Sequence, residues 1–229
     1  FILLLDSFFL KNNFNYEDYQ EVSEKKHFKV YGKEIEEFPK WVLSEPIKYP
    51  KEYLTLISLL AHEVGHMVHF SEIYTTTPTY IYGRRLDDYW FDLSWERAET
   101  EEFGVVISRK AANILTPNLQ NYTRFSLDSI QDVFQELEGS PFSTLYATYN
   151  YLEDFAEHYA NVQLGLDRTV ETAEKVLFDS RRKKSDIYNE KTQIIQNIGV
   201  DVFEKILNAP GPAVPFVTDT CLAFLFFGQ

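Results

Sequence analysis

The sequence predicts a mostly α-helical chain with a small β-sheet, an α+β fold, on three observations. Apolar residues recur at helical spacing over several long segments, the longest at residues 51–73. Pro, Ser, Thr and Gly stand where such helices would start and stop. Only short runs near the N-terminus alternate polar and apolar in the manner of strands. The 229 residues are 45% hydrophobic and 16% aromatic, enough apolar area for a core, which excludes a disordered chain. A single domain over residues 1–229 is expected.

Taken in order, His27-Phe28-Lys29-Val30-Tyr31 alternates with β-favouring residues and Gly32 follows as a turn, so a first strand is expected there. Trp41-Val42-Leu43 is a candidate second strand. Pro50 then opens the strongest helix, because the N–H that proline lacks would be unpaired at a first helical position. Leu54, Ile57, Leu60, Ala61, Val64 and Val68 give this helix a wide apolar stripe, and Thr75-Thr76-Thr77-Pro78 ends it. Residues 79–94 read as a loop rich in Tyr and Asp. A second helix is expected over 94–115 with Ser94 as N-cap, and a third over 126–137 ending at Gly139. A fourth covers 150–164 and closes on Gly165. Thr169 is read as the cap of a long polar helix running in pieces to 197, with a short helix over 200–207 and a break at Pro210-Gly211-Pro212.

Charge and cysteine content exclude several classes. Acidic residues outnumber basic ones by 35 to 22, a net charge of −13, so a nucleic-acid backbone would be repelled. No apolar run approaches the roughly 20 residues of a membrane span. One cysteine, Cys221, rules out an intrachain disulfide and a Cys-based zinc finger. The chain opens on Phe1 rather than Met, as a processed product would, and a secreted or extracytoplasmic location is the mild expectation.

Three of the five histidines, His62, His66 and His69, fall in the middle of the first helix. In His62-Glu63-Val64-Gly65-His66 the two imidazoles lie one turn apart on one face and can meet at a single tetrahedral ion. Glu63, next in the chain to His62, can reach a zinc-bound water and take its proton as general base. His69 also lies near the ligand face. The metzincin pattern needs Gly and His where His69 and Glu72 stand, so His69 is expected to pack rather than to bind.

A catalytic zinc takes three protein ligands and leaves one position open. Glu153 and Glu157 lie four apart on the fourth helix, so one can bind the ion while the other accepts the N–H of a ligating histidine. The bland alternative is a solvated acidic helix face.

His62-Glu63-x-x-His66 followed by the helical string Glu153-Asp154-Phe155-Ala156-Glu157 resembles the gluzincin group of zinc metallopeptidases. It is similar in particular to the anthrax lethal factor-like and related bacterial zinc peptidases. The resemblance implies a zincin-like catalytic domain, with Glu153 as third ligand and Glu157 bonded to a ligand histidine. It also implies a tyrosine before the ligand Glu whose hydroxyl meets the developing oxyanion. Tyr146 matches, with Tyr149 and Tyr151 as rivals. It covers about a tenth of the chain. The stretch from His66 to Glu153 is long for the group, which implies a helical insertion at about 79–140. Glu96 and Glu99 in that insertion are competing third ligands, although neither is followed four residues on by a carboxylate.

The expected function is zinc-dependent hydrolysis of a peptide or protein substrate. Two alternatives stand beside it: a zinc-binding interaction or toxin-like module without proteolysis, and a metal-dependent amidase acting on cell-wall peptides. The basic run Arg181-Arg182-Lys183-Lys184 is read as a solvated helix face, and His27 and His158 as ordinary residues.

Overall fold

Helix α1 (Leu54–Tyr74) follows a single 3-10 turn at Lys51–Tyr53 and carries the apolar stripe that the periodicity predicts. Leu54, Ala61 and Val64 are fully buried, with Ile57, Leu60 and Val68 packed beside them. The computed structural model describes residues 39–43, 49, 51–74, 76–100, 104–109, 127–165, 168–182 and 185–198, with Glu17, Phe203 and Lys205. The expected strand at 27–31 and nearly all of the expected helix at 200–207 lie outside these residues.

The fold is α+β, mostly helical with small antiparallel sheets. Among the described residues the largest sheet has three strands in the order β1–β6–β7, where β1 is Lys40–Leu43, β6 is Arg168–Glu171 and β7 is Val176–Asp179. Trp41 opposes Val170, and Val170 opposes Phe178, so three apolar side chains share one face. Two of its strands thus come from the stretch expected to be helical after Thr169. Val170 and Val176-Leu177-Phe178 favour extended pairing. The helix-forming residues Ala173, Glu174 and Lys175 occupy the turn, which Thr172 closes by bonding to Lys175.

Residues 79–94 are not a loop. Strands β2 (Tyr80–Ile81) and β3 (Arg84–Arg85) form a hairpin whose turn residues, Tyr82 and Gly83, both have positive φ. Helix α2 (Leu86–Ser94) follows and buries Leu86, Trp90 and Phe91 along one side. Within the span 94–115 expected to be helical, the described residues instead form an antiparallel pair, β4 (Trp95–Thr100) with β5 (Gly104–Arg109), and 101–103 and 110–115 lie outside them. Val105-Val106-Ile107 in β5 is a β-branched run, and pairing with it overrides the helix propensity of Glu96, Arg97 and Ala98.

The described residues also form helices α3 (Leu127–Gly139), α4 (Tyr151–Leu164) and α5 (Asp186–Asn197). The Asn150 side chain accepts the N–H groups of Leu152 and Glu153 at the start of α4. Gly165 ends that helix at φ 58°, a left-handed conformation that costs glycine no Cβ clash. Arg181 and Arg182 lie in the turn after β7 and pair with Asp179 and Glu138, not on a helix face.

Among the described residues the buried apolar side chains form two clusters. One joins the three-stranded sheet to α3 through Trp41, Phe134, Leu137, Val170 and Phe178. The other joins α1, α2, α4 and α5 through Leu54, Val64, Trp90, Phe155, Tyr159 and Ile195. Among the described residues no helix is long and apolar enough to cross a membrane.

Candidate metal centre

The two helices that pack together most extensively are α1 and α4, and the candidate site lies across their contact. His62 and His66 project from α1, and Glu153 comes from the first turn of α4. The two Nε2 atoms are 3.1 Å apart, and Glu153 Oε2 lies 3.2 Å from that of His62 and 3.3 Å from that of His66. Ligand atoms bound tetrahedrally at about 2.0–2.1 Å stand about 3.3 Å from one another, so the triangle has the size such an ion needs. Glu153 Oε2 is buried and makes no well-formed hydrogen bond within the protein, although both ring nitrogens are close. Three donor atoms converging in this way form a group that could hold a metal ion.

His62 is held from behind. Its Nδ1 lies 2.8 Å from Glu157 Oε1, and the other carboxylate oxygen accepts the Thr144 hydroxyl at 2.7 Å. Thr144 Oγ1 in turn accepts the backbone N–H of Ala147 at 3.0 Å. A neutral His62 that donates Nδ1–H to Glu157 turns the lone pair of Nε2 towards Glu153 and His66, the tautomer that metal binding requires. Thr144 is the member that the sequence did not disclose, since nothing in Ser143-Thr144-Leu145 marks it.

The electrostatics follow from this crowding. Burial works against a charged His62, but Glu153 and Glu157 outweigh it and hold the ring's pKa up at about 10. Burial also raises Glu153, yet its contacts with His62 and His66 prevail and bring it down to about 2. Glu157 is lowered as well, because the His62 and Thr144 hydrogen bonds and the nearby charge of Arg168 overcome the burial penalty.

Glu63 is half-buried on α1 directly after His62. Tyr146, in a 3-10 turn at Tyr146–Thr148, has its ring centroid 5.9 Å from that of His62 and stacks on Tyr149. Tyr151 packs edge-on against Phe91 and His69. Glu96 is exposed on β4 and is not among the three residues that converge, and Glu99 lies on the same strand.

His69 packs. It is fully buried, stacks on Phe155 at 4.3 Å between centroids, and bonds through Nε2 to Asp87 Oδ1 at 2.8 Å. His158 is also buried and bonds to Thr192.

Beneath the site a second polar group fixes α4. Asp154 Oδ2 accepts from Lys191 Nζ at 2.6 Å and from Trp95 Nε1 at 2.9 Å, with both charged side chains fully buried. The Lys191 ammonium also lies 5.0 Å from the ring centroids of Trp90 and Phe142.

No family model, curated protein or solved structure matches this chain.

Proposed function

We propose that the chain is a single zincin-like catalytic domain of gluzincin type that hydrolyses peptide bonds with Zn²⁺ held by His62, His66 and Glu153. In this reading residues 79–140 are an insertion between the two ligand-bearing helices. The observation that carries the proposal is the triangle of 3.1, 3.2 and 3.3 Å, with a carboxylate, Glu63, next in the chain to one of its corners. Two nitrogens and one oxygen suit zinc, and three protein ligands leave a coordination position for chemistry. When bound, zinc would supply a Lewis acid that polarises the scissile carbonyl and makes a water molecule acidic enough to lose a proton near neutral pH.

The chain's own residues supply the rest. Glu63 takes the proton of the attacking water and later delivers it to the leaving amine. The Tyr146 hydroxyl donates to the oxygen on which negative charge develops. Glu157, backed by Thr144, keeps the His62 ring in its binding tautomer.

The test is Glu63→Gln beside wild type and His62→Ala, assayed for bound zinc and for cleavage of a peptide library. Glu63→Gln should keep its zinc and lose about 10²–10⁴-fold in turnover, the usual contribution of general acid–base catalysis. His62→Ala should lose both. Wild-type turnover in Glu63→Gln would remove the assigned base. Zinc binding by wild type without cleavage of any peptide would favour a non-proteolytic zinc module.

A further inference from the structure

Helices α1 and α4 meet at one point more closely than ordinary side chains allow. A Cβ built on Gly65 would stand 2.8 Å from Ala156 Cα, 3.1 Å from Ala156 O and 3.1 Å from Tyr159 Cβ. The first two of these neighbours are backbone atoms of α4, so no rotamer change can clear them. Gly65 lies between His62 and His66 in sequence, as Ala156 lies between Glu153 and Glu157. The closest approach of the helices is therefore bracketed by the contacts that define the site: His62 with Glu157 at 2.8 Å, His62 with Glu153 at 3.2 Å, and His66 with Glu153 at 3.3 Å.

We propose that Gly65 is a positioning residue for the metal centre: by letting α1 and α4 touch backbone to backbone, it sets the ligand spacing. The inference rests on His62, His66 and Glu153 binding a metal. A methyl group at position 65 needs the helices to part by several tenths of an ångström to reach ordinary contact distance. The ligand oxygen rides on α4 and the ligand nitrogens on α1, so any parting acts directly on the triangle. Phe155 and Tyr159, both fully buried at this contact, leave α4 little room to yield elsewhere.

The sign of the effect separates positioning from local helix stability. Alanine is the better helix former, so an effect confined to α1 would make Gly65→Ala neutral or stabilising. The experiment uses the whole chain with Zn²⁺ or Co²⁺ alone. Affinity is read by competition with a chromophoric chelator, geometry by the Co²⁺ visible absorption, and folding by the melt of chelator-stripped protein. Met67→Ala, on an exposed position of the same helix, serves as control.

Gly65→Ala should lose about 10- to 100-fold in Zn²⁺ affinity, as disturbed ligand support does elsewhere. Its Co²⁺ spectrum should depart from that of wild type, while its stripped form still melts cooperatively and Met67→Ala matches wild type. Unchanged affinity and spectrum in a folded Gly65→Ala would overturn the proposal. If Gly65→Ala does not fold, Ala156→Ser adds one atom to the same buried crossing from α4 and is judged on the same two readouts. Failure of wild type itself to bind Zn²⁺ or Co²⁺ would instead sink the metal-site reading.

Discussion

Glu157 touches no substrate in the proposed site, yet it decides which nitrogen of His62 carries the proton. Glu157→Ala removes the acceptor at Nδ1 and strands the Thr144 hydroxyl, so zinc affinity should fall about 10- to 100-fold, measured by chelator competition. Thr144→Val should produce a smaller loss in the same direction, because Glu157 keeps its bond to His62. The charge on His62 gives a second prediction. With its pKa near 10, the ring of the stripped protein is protonated at neutral pH, and a metal can bind only the neutral form. Zinc uptake should therefore release about one proton and strengthen about tenfold per pH unit as pH rises below that value. Calorimetry in buffers of different ionisation enthalpy measures the proton directly; no buffer dependence would refute the prediction. In the stripped protein the same group also bears on stability. The His62 contribution is complete below its ordinary value of 6.5 and is lost as pH rises through about 10. That of Glu153 is complete above 4.5 and is lost as pH falls through about 2.

At the level of elements, α4 is held from two sides, by the ligand triangle and by the Asp154–Lys191 pair. Burial raises the pKa of Asp154 and lowers that of Lys191, each partly offset by the other's charge. Asp154→Ala leaves a buried ammonium without its counter-charge and should cost about 3–5 kcal/mol in urea unfolding. Replacing both partners together with apolar residues should cost much less, and equal losses in the single and double variants would contradict that account. The ligand-bearing helices were legible in the sequence because their signals are local: an apolar stripe for α1, and Gly165 as the C-terminal cap of α4. His62 and His66 could be picked out for the same reason, since four-residue spacing on a helix fixes which side chains share a face. Spacing left Glu153 and Glu157 interchangeable, and only the resemblance of the Glu153–Glu157 string to the gluzincin helix singled out Glu153. Strands β4 to β7 were misread because Glu, Arg, Ala and Lys spoke for helix, whereas pairing across the chain decided the outcome. The Val105-Val106-Ile107 run was the signal that would have corrected the first of them. Lys191 and Thr144 were invisible because their roles exist only once distant segments meet.

Across the molecule, the two apolar clusters should keep the effect of a bound metal local. The candidate metal centre joins α1 to α4, whose buried apolar residues lie in the helical cluster. Helix α3 and strands β6 and β7 pack in the other, and β1 contributes to both, Trp41 to one and Leu43 to the other. Zinc at a thousand times its Kd should stabilise the fold by about 4 kcal/mol, seen as a drop in melting temperature when a chelator is added. Hydrogen exchange should locate the change, rising on chelation in α1 and α4 and little in β6 and β7. A uniform rise over the whole chain would show that the two clusters unfold together.

Adjacent positions on α4 carry carboxylates with opposite duties, Glu153 turned to the histidines and Asp154 to the core lysine. Successive residues on a helix diverge by about 100°, so a slip of one residue would put an apolar side chain, Leu152 or Phe155, in the place of one of the two carboxylates and leave that partner unmet. The helix thereby proofreads its own rotation. An insertion or deletion within residues 151–153 should abolish ion capture and folding together.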